Sequence, residues 1–421
     1  MLVSCATPAL LLSINTPIVR AQASVPVREL SAPLASANIT FRNIFSVREI
    51  AGAKLLVNDG VQRRVVMLDA SMANPKVVLD SVSQGTNYYG PRASPLISFL
   101  ADSTLFIDAP SLSLVVIDPN GKITRVMAAP RPNDLRFLMG SPSHIDSRGN
   151  LLYRLEPAHN QLSLTRPTAG TTMIVTQPQD SAPISRANFE KRSIDTVAYV
   201  RIYNGVRTTT TRTSDALSTK LLVNPLVTVD EWTVLSDGTI ALVRGHDYHV
   251  DMIRPDGRAL SGAKLPFDWK RLTNVDKQQL IDSARAATNP PQAVPATMPV
   301  SRGDSSQSSS SGGPLKVQPT TTEFVPVSEI GDYYPPIRLG AAKADADGNL
   351  WILPTTSAQS KAGELVYDVI DNRGTLKERV RVPVGRSIAG FGRGGVVYLM
   401  FRDAANEWHL ERTKVVGATR P

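Results

Sequence analysis

Three stretches of this chain, "DSRGNLLYRL" (146–155), "LSDGTIALVR" (235–244) and "ADADGNLWIL" (344–353), are one phrase written three times. Each is a short Asp/Gly/Asn turn that feeds a run of apolar, β-prone residues. Self-similarity of this kind constrains the fold strongly, because a unit that recurs marks a repeat architecture. Looser copies of the turn stand at 51–53, 101–103 and 392–394. In several copies a second turn follows roughly 18 to 26 positions later: "DPNGK" (118–122), "RPDGR" (254–258) and "DNRGT" (371–375). Glycine in these pieces supplies the positive φ of a tight hairpin. Two hairpins per unit make a four-stranded antiparallel module.

The first turns recur at intervals of roughly 45–50 residues, with two longer gaps. A four-stranded unit at that period is the mark of a propeller blade. The fold expected is therefore all-β, a six-bladed β-propeller of four-stranded antiparallel blades near 41–80, 96–130, 141–200, 225–268, 335–383 and 387–416. A seventh blade stays open if the 150–235 gap hides a degenerate unit. That gap holds the Thr-rich run "TTTTRTSDALSTK" (208–220). The last unit lacks a fourth strand, and "VPVRELSAPL" (25–34) is the candidate to supply it and close the ring. The second gap carries an insertion over 269–334. It contains one helix, expected over 273–287, where Thr273 and Asp276 stand at capping-box spacing. It also contains the Pro/Ser/Gly/Thr-rich segment 289–322, which lacks the apolar mass to offset its ordering entropy and is expected to be disordered.

The phrase D-G-N-L-W-I at 347–352, continued by Y-D-V-I-D-N-R-G-T-L at 367–376, resembles the repeat of NHL-type and related bacterial exported propellers. The resemblance runs over most of 41–416 and implies the propeller fold without naming a subfamily. Some propellers of this kind are lactonases that hold a divalent metal near the channel, but their motif has no residue-by-residue counterpart here.

At the N-terminus, "LVSCATPALLLSINTPIVRAQA" is apolar and ends in Ala21-Gln22-Ala23, a small-x-small cleavage pattern. A signal peptide over 1–23 is expected, leaving one propeller domain over 24–421 and an exported protein, periplasmic or extracellular. Cys5 also suits a lipoprotein box, the less favoured reading. It is the chain's one cysteine, so cleavage would leave no disulfide, thiolate nucleophile or Cys-ligated metal. Forty-six Lys and Arg against 37 Asp and Glu give a net charge of +9. The cations are scattered rather than run together, which argues against a nucleic-acid tail. No later stretch is long and apolar enough to span a membrane, and a monomer is expected.

In a propeller the loops joining second to third strands share one rim with the loops joining blades, and function gathers on such loops. The sharpest cluster there is "RGHDYHVD" (244–251), with His246, Asp247, His249 and Asp251. Imidazole and carboxylate groups could serve as zinc ligands, or as a general base with its orienting acid. Alternation along a strand points His249 and Asp251 together while His246 sits in the turn, which favours a structural turn. Asp59, Asp108, Glu156 and Asp403 end corresponding strands and are candidates for a carboxylate ring at the channel mouth that would suit calcium or another divalent metal. Within these groups the catalytic candidates are His246, Asp247 and Glu156. The ligand-binding candidates are Asp59, Asp108 and Asp403, and the metal candidates are Asp59, Asp108, Glu156 and His246. Trp232, Trp269, Trp351 and Trp408 fall in separate blades, where core packing is the expected role. The function expected is a binding or scaffold module for a protein, peptide or envelope glycan. The alternative is a metal-dependent hydrolase or lyase at the channel mouth. An enzyme would need acids, bases or ligands converging from several blades, whereas a binder needs an exposed aromatic or apolar patch.

Overall fold

The structure, a computed structural model, describes residues 25–417 apart from 84, 109–110, 132–133, 135–136, 139–142, 167–170, 289–315 and 357–362. The signal-peptide reading, Cys5 and most of the Ser/Pro-rich segment lie outside the described residues.

The recurring phrase is a five-residue turn with a side-chain clasp. In Asp118, Asp146, Asp345 and Asp371, one carboxylate oxygen accepts the backbone N–H groups two and four residues on, at 2.8–2.9 Å. The glycine three residues after each aspartate has φ between +74° and +86°. Aspartate therefore satisfies amides that the reversing chain leaves unpaired, and glycine takes a backbone region that a Cβ penalises. Two further copies lack the glycine. Asp69 clasps the N–H groups of Ser71 and Ala73 at 2.9 and 3.0 Å, with Met72 at φ +62°. Asp403 accepts from Glu407 N–H at 2.9 Å, with Asn406 at φ +64°.

These turns join six four-stranded sheets over residues 44–79, 97–128, 143–201, 231–261, 342–382 and 387–414, the last completed by Ala35–Ser36. Both faces of each blade are covered. In blade 1, Leu55 and Val57 pack with Tyr398 and Leu410 of blade 6, while Leu56 between them packs with Phe106 and Val115 of blade 2. Four more seams follow the same rule, pairing blade 2 with 3, 3 with 4, 4 with 5 and 5 with 6. This two-sided burial is why the second and third strands read as unbroken apolar runs rather than as alternating ones. Buried tyrosines tie some seams as well: Tyr248 Oη donates to Asp368 of the next blade and Tyr398 Oη to Glu49, each at 2.6 Å.

The ring closes through the N-terminal segment, with a different register from the one expected. Val27–Glu29 pairs in parallel with the outer strand of blade 5. Leu30 then bridges to Val415, and Ala35–Ser36 pairs with Arg412 and Glu411 of blade 6. The closing strand is thus the run from Leu30 onward, and residues 27–29 extend blade 5 instead.

Among the described residues, the 150–235 gap forms no seventh blade. Its two excursions, His159–Arg166 with Thr171–Pro178 and Val206–Arg212 with Ala216–Val223, form a separate side sheet. β-Branched threonines suit such strands. Part of the segment expected to be disordered joins this sheet: Lys316–Val317 and Thr321–Phe324 pair in parallel with its outer strand. An existing edge offers unpaired N–H and C=O groups, so a polar segment can be ordered there without a core of its own. The helix runs Asn274–Thr288 behind the expected reciprocal Thr273–Asp276 cap, and Ile281 packs on Val325 and Leu222 beside the side sheet. All these excursions leave from the face that carries the loops between second and third strands and between blades, hereafter the upper face.

The turn chemistry predicts a graded response in urea unfolding. Gly257→Ala meets no atom within 4 Å but has φ +88°, so it should lose about 1 kcal/mol from backbone strain. Gly238→Ala has φ +85° and would place its Cβ 2.8 Å from Ser147 Oγ and 3.1 Å from Ser147 N. It should lose measurably more.

Candidate functional site

The innermost strands of all six blades line one central channel of about 920 Å³. Its wall mixes apolar side chains such as Phe45, Leu96 and Phe391 with the charged groups Arg48, Glu49, Asp102 and Lys343. Arg48 is held by Asp102 at 2.9 Å, and Glu49 accepts from Tyr398. Toward the upper end stand groups whose environments shift them.

Glu231 opens the innermost strand of blade 4 and is 6% exposed. Burial pushes its carboxyl up to about 7, opposed by backbone N–H bonds from Gly340 and Ala342 of the next blade and by the charges of Arg154 and Lys343. Burial lowers the pKa of Lys343 and of Arg154, against the pull of Glu231. One blade away, His144 meets Trp232 edge to face, ring centroids 5.1 Å apart. Part of its ring faces the channel, but Nε2 is sealed and has no hydrogen-bond partner among the described residues. Burial pushes this imidazole down to about 4. None of these four residues belongs to a motif, and only folding brings them together.

The residues singled out in the sequence lie at the turns after second strands, and those turns do share the upper rim. The chemistry at each is local. Asp59 is fully buried and accepts N–H groups of Arg42, Asn43 and Gln62 at 3.0–3.1 Å. Asp108 bonds Ser111 three residues on. Asp403 clasps its own turn and takes His409 Nε2 at 2.8 Å. Glu156 is exposed in the turn after its strand, and His246 is exposed in the blade 4 turn. Second-to-third turns sit outside the innermost strands, so these carboxylates ring the face rather than converge. Among the described residues, no three His, Cys, Asp or Glu side chains group in a way that could hold a metal ion. His249 does gather partners: Nδ1 lies 2.6 Å from Asp247 Oδ1 and Nε2 3.2 Å from Asp251 Oδ1. Asp251 in turn accepts from Arg244, which also bonds Asp230 at 2.8 Å. This chain of alternating charges fixes the blade 4 turn.

A second concavity opens on the upper face beside the helical insertion, a groove of about 550 Å³. Lys270, Tyr334, Arg338, Leu339, Thr356 and Glu364 are among its lining. The two legs of the insertion are zipped next to it, Leu272 N–H to Asp332 O at 2.8 Å and Tyr334 N–H to Lys270 O at 3.0 Å. This zipper presents Trp269 and Tyr333, 42% and 50% exposed, with perpendicular rings 6.3 Å apart. Phe267 and buried Tyr248 continue the aromatic row into the core. Trp232 and Trp351 are core residues as expected, whereas Trp269 is not. Its position in the insertion, outside any strand, was the signal that could have set it apart.

The closed ring of four-stranded sheets makes the protein a six-bladed β-propeller. No protein-family model and no curated protein matches the chain. Among solved structures it is similar to a member of the DUF4221 family from Bacteroides vulgatus, at 10% identity over 92% of this chain and 98% of that one, TM-score 0.42. A Bacteroides fragilis protein named for its expected export gives 9% identity, 93% and 99% coverage and TM-score 0.41. Virginiamycin B lyase from Staphylococcus aureus gives 9%, 90%, 98% and 0.36. Likeness at this level assigns neither a subfamily nor an activity. Among the described residues no helix is long and apolar enough to cross a membrane.

His144 and Glu231 should impose opposite pH dependences on stability. Between pH 6.5 and about 4 an unfolded histidine binds a proton that folded His144 refuses, so acidification through that window destabilises. Between pH 4.5 and about 7 folded Glu231 keeps a proton that the unfolded chain has lost, so raising the pH destabilises. Each slope is bounded by about 1.4 kcal/mol per pH unit. Relative to wild type, Glu231→Gln should make thermal stability fall more steeply on acidification below 6.5. His144→Gln should make it fall more steeply on alkalinisation from 4.5 to 7. Melting curves across pH 4–8 check both.

Proposed function

We propose that the protein is an exported binding module that holds an extended ligand, a peptide or a glycan chain, in the groove beside Trp269 and Tyr333. The observation that carries this reading is the exposed aromatic pair. Large rings left in water on a folded surface are costly unless they meet a partner, and Trp and Tyr concentrate binding energy because they bury much area with few rotors to freeze. The perpendicular rings offer a face and an edge one residue along the chain from Lys270 and Tyr334 of the groove, whose Lys270 and Arg338 add donors. Phe267 and Tyr248 behind them hold the pair against a rigid blade, so little ordering entropy remains to be lost on binding.

Support for binding over metal-dependent catalysis comes from donor placement. Catalysis of that kind needs ligands converging on one point, and the candidates Asp59, Asp108, Glu156 and His246 are dispersed over four blades.

The test is affinity against a panel of envelope glycan fragments and peptides. Trp269→Ala and Tyr333→Ala should each weaken the ligand found by tenfold or more with the melting temperature held within about 2 °C. Binding that ignores both substitutions would move the site elsewhere. Metal analysis and melting with and without chelator on residues 24–421 should show no chelator effect. A stoichiometric divalent ion whose removal lowers the melting temperature would put the channel-mouth enzyme ahead.

A further inference from the structure

Charged groups around the ring are mostly matched. Arg244 reaches Asp230 and Asp251 at 2.8 and 2.7 Å, Arg379 reaches Asp368 at 2.7 Å, and Arg386 reaches Glu411 at 2.8 Å. Two half-buried cations in the field of Glu231 break this pattern. Lys343 lies on the channel wall in the innermost strand of blade 5. Arg154 ends the second strand of blade 3. Neither makes a hydrogen bond or an ion pair within 4.0 Å with any described residue. Both feel the charge of one carboxylate, Glu231, on which the backbone N–H groups of Gly340 and Ala342 also act. Two cations in the field of one acid, whose carboxyl burial pushes up to about 7, leave an excess of positive charge in a partly desolvated place. No described residue accepts a hydrogen bond from the ammonium or the guanidinium there.

The same cavity offers an apolar counterpart. Phe45, at the upper end of the innermost strand of blade 1, is 44% exposed although it lines the channel, and Leu96 lines it from blade 2. A solvated cation at one side and an uncovered aromatic ring at another are both improved by one kind of ligand. We propose that the upper channel is a second binding site, taking a small organic monocarboxylate whose carboxylate meets Lys343 in the field of Arg154 and whose apolar body lies along Phe45 and Leu96. A carboxylate accepts charge-assisted hydrogen bonds, which are shorter and stronger than neutral ones. Its negative charge offsets the local positive excess. The apolar body removes Phe45 from water, worth roughly 25 cal/mol per Å² covered. This site is separate from the groove of Trp269 and Tyr333, and either can stand without the other.

Octanoate is the probe, titrated into the full chain by calorimetry, with octylamine and inorganic phosphate as comparison ligands. Octanoate should bind wild type, and Lys343→Gln should weaken it at least tenfold. Arg154→Gln, acting through the field, should cost about threefold, and Phe45→Ala should weaken it severalfold. Lys343→Arg, which keeps the charge, should restore most of the affinity and guards against reading a folding defect as lost binding. Trp269→Ala should leave octanoate affinity unchanged. Failure of octanoate to bind wild type overturns the proposal, as does equal affinity in Lys343→Gln. Octylamine binding as tightly as octanoate overturns its electrostatic half, and phosphate binding as tightly overturns its apolar half.

Discussion

Every part of this molecule answers to one constraint: each blade must bury both of its faces against its two neighbours. Leu55 and Val57 look one way from a strand and Leu56 the other, all of them sealed from solvent. Emptying one such position leaves a cavity on the order of 2–5 kcal/mol in cost. A single blade removed from the ring would expose two apolar faces at once. No blade is therefore a stable unit alone, and the seam between the last blade and the first has to be made by residues hundreds of positions apart. The N-terminal segment makes it twice over. It lends a strand to blade 6 and a further one to blade 5, so opening the ring means breaking two backbone ladders as well as an apolar seam.

A scaffold held this way leaves its connections free to vary, and the variation is one-sided. The side sheet, the helix and the long excursion between blades 4 and 5 all rise from the upper face. The described turns of the opposite face are short, several of them clasped five-residue loops, and some of them contact each other: Asp347 in blade 5 accepts N–H from Gly394 and Gly395 of blade 6 at 2.9 and 2.7 Å. Insertions on that face would break contacts between blades, whereas insertions above lengthen loops at small entropic cost. The aromatic groove is a product of that freedom.

The ring was legible in the sequence because its signal is local. A clasped turn needs Asp and Gly at fixed spacing, and a strand buried on both sides needs consecutive apolar residues, so six blades emerge from recurrence alone. Where another residue takes the glycine's place the copy is invisible, as at Met72 and Asn406. Pairing across long separations was harder to read. Nothing in "VPVRELSAPL" says which of two adjacent blade edges each residue joins. The Thr-rich excursions become a sheet only because two loops and a third, distant strand meet. Site residues are harder to read for a related reason. Asp59, Asp108 and Asp403 stand out in sequence as strand-ending acids, and in the structure their bonds are to their own turns and to nearby backbone. Glu231, Lys343, Arg154 and His144 carry no pattern, since their proximity is a property of the ring and not of any stretch of chain.

Charge inside the ring follows a rule strict enough for its exceptions to carry meaning. Removing a carboxylate or guanidinium from water costs several kcal/mol unless a partner restores what hydration supplied. Asp368, almost fully buried, meets that demand with Tyr248 and Arg379. Asp59 meets it with backbone amides, and Glu49 with Tyr398 and the Arg393 N–H. Such matched groups add rigidity without offering anything to a ligand, because their bonding capacity is spent. Lys343 and Arg154 have theirs intact. A chain that pairs most of its enclosed arginines, yet leaves Lys343 on the channel wall and Arg154 in the field of the same acid without a described partner, keeps donors available there. Local rules of this kind are broken at functional positions and kept elsewhere, which makes the upper channel, and not the ring of acids around it, the place where the fold's electrostatics point.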